Sequence, residues 1–264
     1  MEIARNSLEE NEKPVQFLGE IIHNEKVIEE IRKKGGKIIF DPRKVKSGTL
    51  VIRAHGAPPF PHLNGILIRD ATCLLVKRAQ SVAKNLFGAG YKVIIIGEKN
   101  HPEVKGILGN VGGKALIIEN ERQAKKIAES LPRWQAGKKL GVLAQTTQSQ
   151  NNVNKIINAL KNKTKDLRWE NTLCPQVSSR QKELKEIMKI TDGILVIGSK
   201  TSANTQRLVK IAKKHKKTVW RANSTKELKN FSFAGISVLG VVSGTSAPDW
   251  EVKEIKKNLI ANYK

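Results

Sequence analysis

Short runs of branched aliphatic residues, set between segments with helical periodicity, constrain this chain more than any other feature. The runs lie at 37–40, 49–54, 66–70, 92–96, 115–118, 140–144, 193–198, 217–221 and 237–242. They are apolar almost without a break, the pattern of parallel strands covered on both faces. Helical patterns run over 1–11, 24–34, 73–89, 121–131, 150–162, 178–190, 203–216 and 250–262. Several close on Gly or Lys, as helix C-termini do. Alternation of this kind specifies an α/β protein.

The spacing divides the chain into three similar blocks, 1–72, 73–173 and 174–248, with the joints at Cys73 and Cys174. The two cysteines occupy the same relative place in successive blocks. The expectation is three α/β lobes with short parallel sheets in a pseudo-threefold arrangement around a central site. The C-terminal helix, 249–264, is expected to pack on the first lobe. Pro132-Arg133-Trp134 and the stretch from Lys161 to Lys165 read as surface loops.

Unusual polar residues recur directly after the strand-like runs. TLVIRA leads into His55-Gly56, KVIIIG into Asn100-His101-Pro102-Glu103, and LGVLAQ into Thr146-Thr147. GILVIGS leads into Thr201-Ser202-Ala203-Asn204, and VLGVVSG into Thr245-Ser246, while Cys73 and Cys174 close LIRDAT and WENTL. Ligands of open parallel sheets bind outside the carboxyl ends of the strands. These ends therefore point to one composite site.

Composition limits the class of ligand. The net charge is +24, but Lys outnumbers Arg 36 to 12 and aromatics are 5%. Nucleic-acid surfaces concentrate Arg and aromatic side chains, which fork phosphates and stack on bases. Here the Lys residues spread along every helical segment, as solvated faces do. A basic RNA-binding protein is the alternative that fits the charge alone, and nucleic acid is not the expected partner. The charge favours small anionic substrates by steering. No apolar stretch reaches the ~18–20 residues of a membrane span, no signal peptide is evident, and two cysteines do not make a disulfide scaffold. A cytoplasmic protein is expected.

Several motifs admit a bland reading. Cys73 and Cys174 are either buried structural thiols or metal ligands, and no CxxC pair supports a structural zinc site. His101-Pro102-Glu103 has the HxE of a zinc deaminase without the PCxxC that the chemistry needs. Glu103 is either a surface carboxylate at a helix start or a proton donor. His23, His55, His101, Ser202, Asn204 and Ser246 are individually turn or cap residues. Together they make a cradle for phosphate oxygens. Gly109 to Lys114 lacks the spacing of a P-loop.

The strings IIHN (21–24), AHGAPP (54–59), DATC (70–73), HPEVKG (101–106), QTT (145–147), SSRQ (178–181), SANTQRL (202–208) and SGTSAPDW (243–250) occur in the order of one family. The chain resembles the LytB-type 4-hydroxy-3-methylbut-2-enyl diphosphate reductases over nearly its whole length. That resemblance implies a three-lobed α/β enzyme of isoprenoid biosynthesis by the methylerythritol phosphate pathway. It would reductively remove the hydroxyl of an allylic diphosphate, giving isopentenyl and dimethylallyl diphosphate. It implies a [4Fe-4S] cluster held by three cysteines, with Cys73 and Cys174 as two of them. It implies an electron donor such as ferredoxin or flavodoxin. It further implies Glu103 as proton donor helped by Thr146, and His23, His55, His101, Thr146, Ser202, Asn204 and Ser246 as substrate contacts.

Departures accompany the resemblance. The family's first cluster cysteine lies in a GFC-type segment ahead of the first helix, and no cysteine precedes Cys73 here. Leu74 stands where Pro is usual, Ala203 for a usual Ser, Asn100 for a Gly, and Val177 at a commonly polar position. The expectation is that Met1 is an internal methionine with about 15–25 residues upstream, one strand and one helical turn at usual element lengths. The alternative is a non-catalytic relative that has lost the cluster and binds a phosphorylated ligand.

Overall fold

The computed structural model of the chain describes residues 2–9, 13–130, 139–161, 164 and 166–262. The helices are α1 Glu2–Glu9, α2 Glu25–Lys33, α3 Leu74–Gly88, α4 Pro102–Gly109, α5 Glu121–Ser130, α6 Gln150–Lys161, α7 Pro175–Ile187, α8 Ala203–Lys214, α9 Thr225–Leu228 and α10 Asp249–Asn262. The strands are β1 Val15–Leu18, β2 Lys37–Ile39, β3 Thr49–Ile52, β4 Leu67–Asp70, β5 Lys92–Ile96, β6 Leu116–Ile118, β7 Leu140–Ala144, β8 Leu167–Trp169, β9 Gly193–Ile197, β10 Thr218–Ala222 and β11 Leu239–Ser243. They form three short sheets, ordered β2-β1-β3-β4, β6-β5-β7-β8 and β10-β9-β11. Among the described residues every strand pairing is parallel. The α/β class and the three sets of parallel strands follow the sequence expectation.

Burial on both faces explains the unbroken apolar runs. Side chains alternate across a strand, so Ile94 and Ile96 of β5 enter one core with α5 and α6 (Ala124, Val153, Ile156). Val93 and Ile95 enter another with α3 and α4 (Ala79, Ala83, Val104, Ile107). In β9, Ile194 and Val196 face α7 and α8 (Leu184, Leu208). Leu195 and Ile197 face the opposite way, where Ile255 and Leu259 of α10 cover them. The expectation for the C-terminal helix named the first lobe; α10 covers the third sheet, and its Glu251 also meets Asn24 and Lys26 of the first block. With α7 and α8 both on one face, α10 removes the other face of the third sheet from water.

The described chain divides into two compact units: Met1–Ile22 with Val27–Leu173, and His23–Lys26 with Cys174–Lys264. The first holds the first two sheets. Within it the loop after β3 lies close against α4. A Cβ added to Gly109 would sit 2.7 Å from the Pro58 ring, and one on Gly106 would sit 3.5 Å from the backbone of Ala57. Two glycines thus let this loop approach a helix of the neighbouring sheet. The sequence reading contained no element over β1, α4, β8 or α9, and it began α7 three residues late. Residues 132–134, 162, 163 and 165 of the expected loops lie outside the described residues, and Lys161 closes α6. Among the described residues no helix is long and apolar enough to cross a membrane.

Candidate functional site

In the first unit the candidate residues stand at the carboxyl ends of β3, β5 and β7. After β3 the chain turns sharply, with the Gly56 N–H donating to the Arg53 carbonyl at 2.9 Å. Gly56 has φ +70, and a Cβ there would lie 2.5 Å from Nε2 of Gln80. Only glycine suits that position, and the turn it makes presents His55. After β5, His101 caps α4, its Nδ1 accepting from the Glu103 N–H at 3.2 Å, with Pro102 next in the helix. Proline suits the first turn because no intrahelical partner exists there for an N–H. The His55 and His101 rings meet edge to face with centroids 5.4 Å apart.

Glu103 is the chemically distinctive group of this unit. It is 1% exposed. The backbone N–H of Thr146 donates to its Oε1 at 2.6 Å, and the Thr146 hydroxyl donates to its Oε2 at 2.9 Å. Burial pushes its carboxyl up to about 7, against the two Thr146 hydrogen bonds, and the nearby charge of Glu98 adds to the rise. Removing a carboxylate from water disfavours its charged form. The result is a carboxyl that exchanges its proton near neutral pH, the property a general acid needs.

The strand ends behind it are pinned. The fully buried Gln145 accepts from the Glu98 N–H through Oε1 at 3.0 Å and donates through Nε2 to the Thr147 hydroxyl at 2.9 Å. Thr172 bonds both backbone groups of Ala144, accepting from its N–H at 2.9 Å and donating to its carbonyl at 2.6 Å. Neither Gln145 nor Thr172 was singled out from the sequence. For Gln145 a polar residue directly after an apolar run was the available signal; Thr172 follows Glu170 and Asn171 and carried no such signal.

The second unit carries a cluster of hydroxyl and amide groups at the ends of β9 and β11. Ser202 caps α8, accepting from the Thr205 N–H at 3.4 Å, and the Ser246 hydroxyl donates to Ser202 Oγ at 3.0 Å. Asn204 is 3% exposed. Its Nδ2 donates to Thr245 Oγ1 at 3.4 Å, while its Oδ1 is buried with no hydrogen-bond partner. Gly198, at φ +146, and Gly244 flank Thr205, and a Cβ on either would lie 2.4 Å from its Oγ1. His23 belongs to this unit through Asn24 and Glu25. The Glu25 carboxylate accepts from Ser199 at 2.8 Å and from Asn223 at 2.9 Å. Against the partial burial that would raise it, a hydrogen bond from its own backbone N–H, then those from Ser199 and Asn223 and the charge of Arg221, hold its carboxyl below the usual range.

The two cysteines are equivalent in their local setting. Cys73, in the first unit, is the N-cap of α3 and Cys174, in the second, is the N-cap of α7, with neither side chain used in capping. Both are free thiols. Each donor sits at the positive end of a helix dipole, where a negative ligand atom is favoured.

The sequence profile described as LytB protein matches residues 1–260. A 4-hydroxy-3-methylbut-2-enyl diphosphate reductase from Dictyoglomus thermophilum is 40% identical over 257 residues, 96% of this chain and 88% of that protein. Its namesake from Dictyoglomus turgidum is 42% identical over 253 residues, 94% and 87% of the two chains. A solved structure of the E-1-hydroxy-2-methyl-but-2-enyl-4-diphosphate reductase from Plasmodium falciparum matches with a TM-score of 0.90 at 27% identity, covering 99% of this chain and 83% of that one. Another, of an (E)-4-hydroxy-3-methyl-but-2-enyl diphosphate reductase described as the terminal enzyme of the non-mevalonate pathway, matches with a TM-score of 0.68 at 30% identity, covering 98% and 92%.

Proposed function

The chain belongs to the LytB family of 4-hydroxy-3-methylbut-2-enyl diphosphate reductases, and from that premise we propose how its own side chains serve the reaction. It is an oxidoreductase of isoprenoid biosynthesis, acting in the cytoplasm on an allylic diphosphate. The reaction breaks the substrate's C–O bond and forms a C–H bond. Two electrons and two protons are consumed and one water leaves. The electrons come from a small redox carrier such as ferredoxin or flavodoxin.

Glu103 supplies the proton that leaves with the hydroxyl. The observation that carries this assignment is its burial against Thr146 with a carboxyl pushed up to about 7. In the protonated form, the carboxylic acid donates to Thr146 Oγ1. The Thr146 hydroxyl then turns its own hydrogen outward, so a proton passes from carboxyl to substrate oxygen without either group leaving its position. His23, His55, His101, Ser202, Asn204 and Ser246 bind the diphosphate. Hydroxyl and amide donors near the start of α8 suit phosphate oxygens, because the helix N-terminus carries partial positive charge. The open Oδ1 of Asn204 can accept from a protonated phosphate or a bridging water.

Proteins of this family use a four-iron, four-sulfur cluster. Such a cluster would be held by three or four cysteine thiolates and would supply electrons to the bound substrate. Cys73 and Cys174 fit as two of those donors, each free and at a helix start. Two thiols do not by themselves match the cluster's donor set, and this chain has no others.

Isothermal calorimetry with (E)-4-hydroxy-3-methylbut-2-enyl diphosphate tests the binding assignment. His55→Ala combined with Asn204→Ala should weaken binding at least about tenfold, the loss of one or two charge-assisted hydrogen bonds. Unchanged affinity would overturn it.

A further inference from the structure

Among the described residues, the chemistry above leaves one buried carboxylate unused. Glu251, on α10, is 0% exposed. An ionised carboxylate is buried only where paired or hydrogen-bonded, and its partners lie on the short segment that carries His23. Asn24 is 2% exposed, and its Nδ2 donates to Glu251 Oε2 at 3.1 Å. The Lys26 ammonium lies 3.4 Å from Glu251 Oε1. The same Asn24 Nδ2 stands 3.4 Å from the backbone oxygen of Ser246, whose hydroxyl donates to Ser202. A continuous set of contacts thus joins Glu251, Asn24, Ser246 and Ser202, and Asn24 is covalently next to His23.

A leucine would fill the same volume with less desolvation, since buried ion pairs add little net stability and specify geometry at best. We infer that Glu251 is a positioning residue: through Asn24 it fixes the backbone at 23–24 and so holds the His23 imidazole in register with Ser246 for the diphosphate. This rests on the diphosphate assignment above. Asn24 is the only side chain in the set that touches both the loop of Ser246 and the α10 carboxylate, so the geometry of one is transmitted to the other through it. Glu251 touches no substrate atom in this scheme and acts wholly through its neighbours.

Calorimetry with inorganic pyrophosphate on the full chain tests the inference. Glu251→Leu should weaken binding about tenfold, within the range of coupling energies between contacting residues. Glu251→Gln, which keeps an oxygen acceptor for Asn24, should stay within about threefold of wild type. In a His23→Ala background, Glu251→Leu should change affinity by less than about twofold, because the group it positions is gone. Should Glu251→Leu not fold, Asn24→Ala carries the same expectation while leaving the Glu251–Lys26 pair in place. Wild-type affinity in the variants, or an equal loss with and without His23, overturns the positioning role. A wild-type chain that does not bind pyrophosphate overturns the diphosphate assignment and this inference with it.

Discussion

Glu103→Gln should make the protein more stable at pH 8 than wild type by an amount that shrinks as the pH falls. The substitution preserves shape and hydrogen bonding. The Gln Oε1 still accepts from the Thr146 N–H, and its Nε2 donates to the Thr146 hydroxyl, which can accept as well as donate. What is lost is the titration. The Glu103 carboxyl stands at about 7 in the folded chain, against 4.5 as its ordinary value. The folded state therefore holds the proton across that window while the unfolded state has released it. Stability falls wherever the folded state binds more protons than the unfolded state as pH rises. The contribution is complete below pH 4.5, is lost as pH rises through 7, and is flat above. A difference of about 2.5 pH units corresponds to about 3 kcal/mol at 1.36 kcal/mol per unit. Between pH 5 and pH 8 roughly three quarters of it is sampled. Urea unfolding of both proteins at several pH values reads this directly. Parallel stability curves for wild type and variant from pH 5 to pH 8 would refute the raised carboxyl, and with it the proton-donor role.

Turnover with a low-potential reductant should drop about 10²-fold or more in Glu103→Gln, a usual scale for acid–base groups, with much less change in substrate affinity; near wild-type turnover counts against the role. Thr146→Val removes the hydroxyl donor to Glu103 Oε2 and should cost about 1–2 kcal/mol. The cost should grow from pH 5 to pH 8, because the lost bond favoured the charged carboxylate; denaturation at the two pH values checks the trend. Gly198→Ala forces a residue with a Cβ into φ +146 and against Thr205 Oγ1, and should cost about 2–4 kcal/mol. Adding Thr205→Ala should recover the steric part alone, and full recovery in melting experiments would show that the backbone carries no strain. Anaerobic reconstitution of the 264-residue chain should give well under four iron per chain, given its two cysteines. A full complement of iron and sulfide would show that two thiolates suffice.

The sequence by itself determined the layer architecture. A run such as Val93 to Ile96, apolar at every position, suits only a strand covered on both faces. It also marked the positions of His55, His101, Thr146, Ser202 and Asn204, because the polar residue that ends such a run falls at a strand's carboxyl end whatever the run packs against. Two elements show the limit. β1, Val15–Leu18, has Gln16 inside it, which breaks the apolar run, and α4 is eight residues with two glycines in it, too short for its periodicity to emerge. Their conformation is fixed by neighbours, β1 by pairing on both sides and α4 by the His101 cap and the close approach of Ala57 and Pro58. The partner of α10 was not legible either. Its pattern specifies one apolar stripe, and hydrophobic attraction has no direction. Only the uncovered face of the third sheet decides that Ile255 and Leu259 settle on Leu195 and Ile197. The same holds for chemistry. The residue type at 103 allowed an exposed cap or a buried carboxyl, and only the fold shows it buried against Thr146, which raises its proton affinity, since that affinity is set by how much water the fold leaves around it.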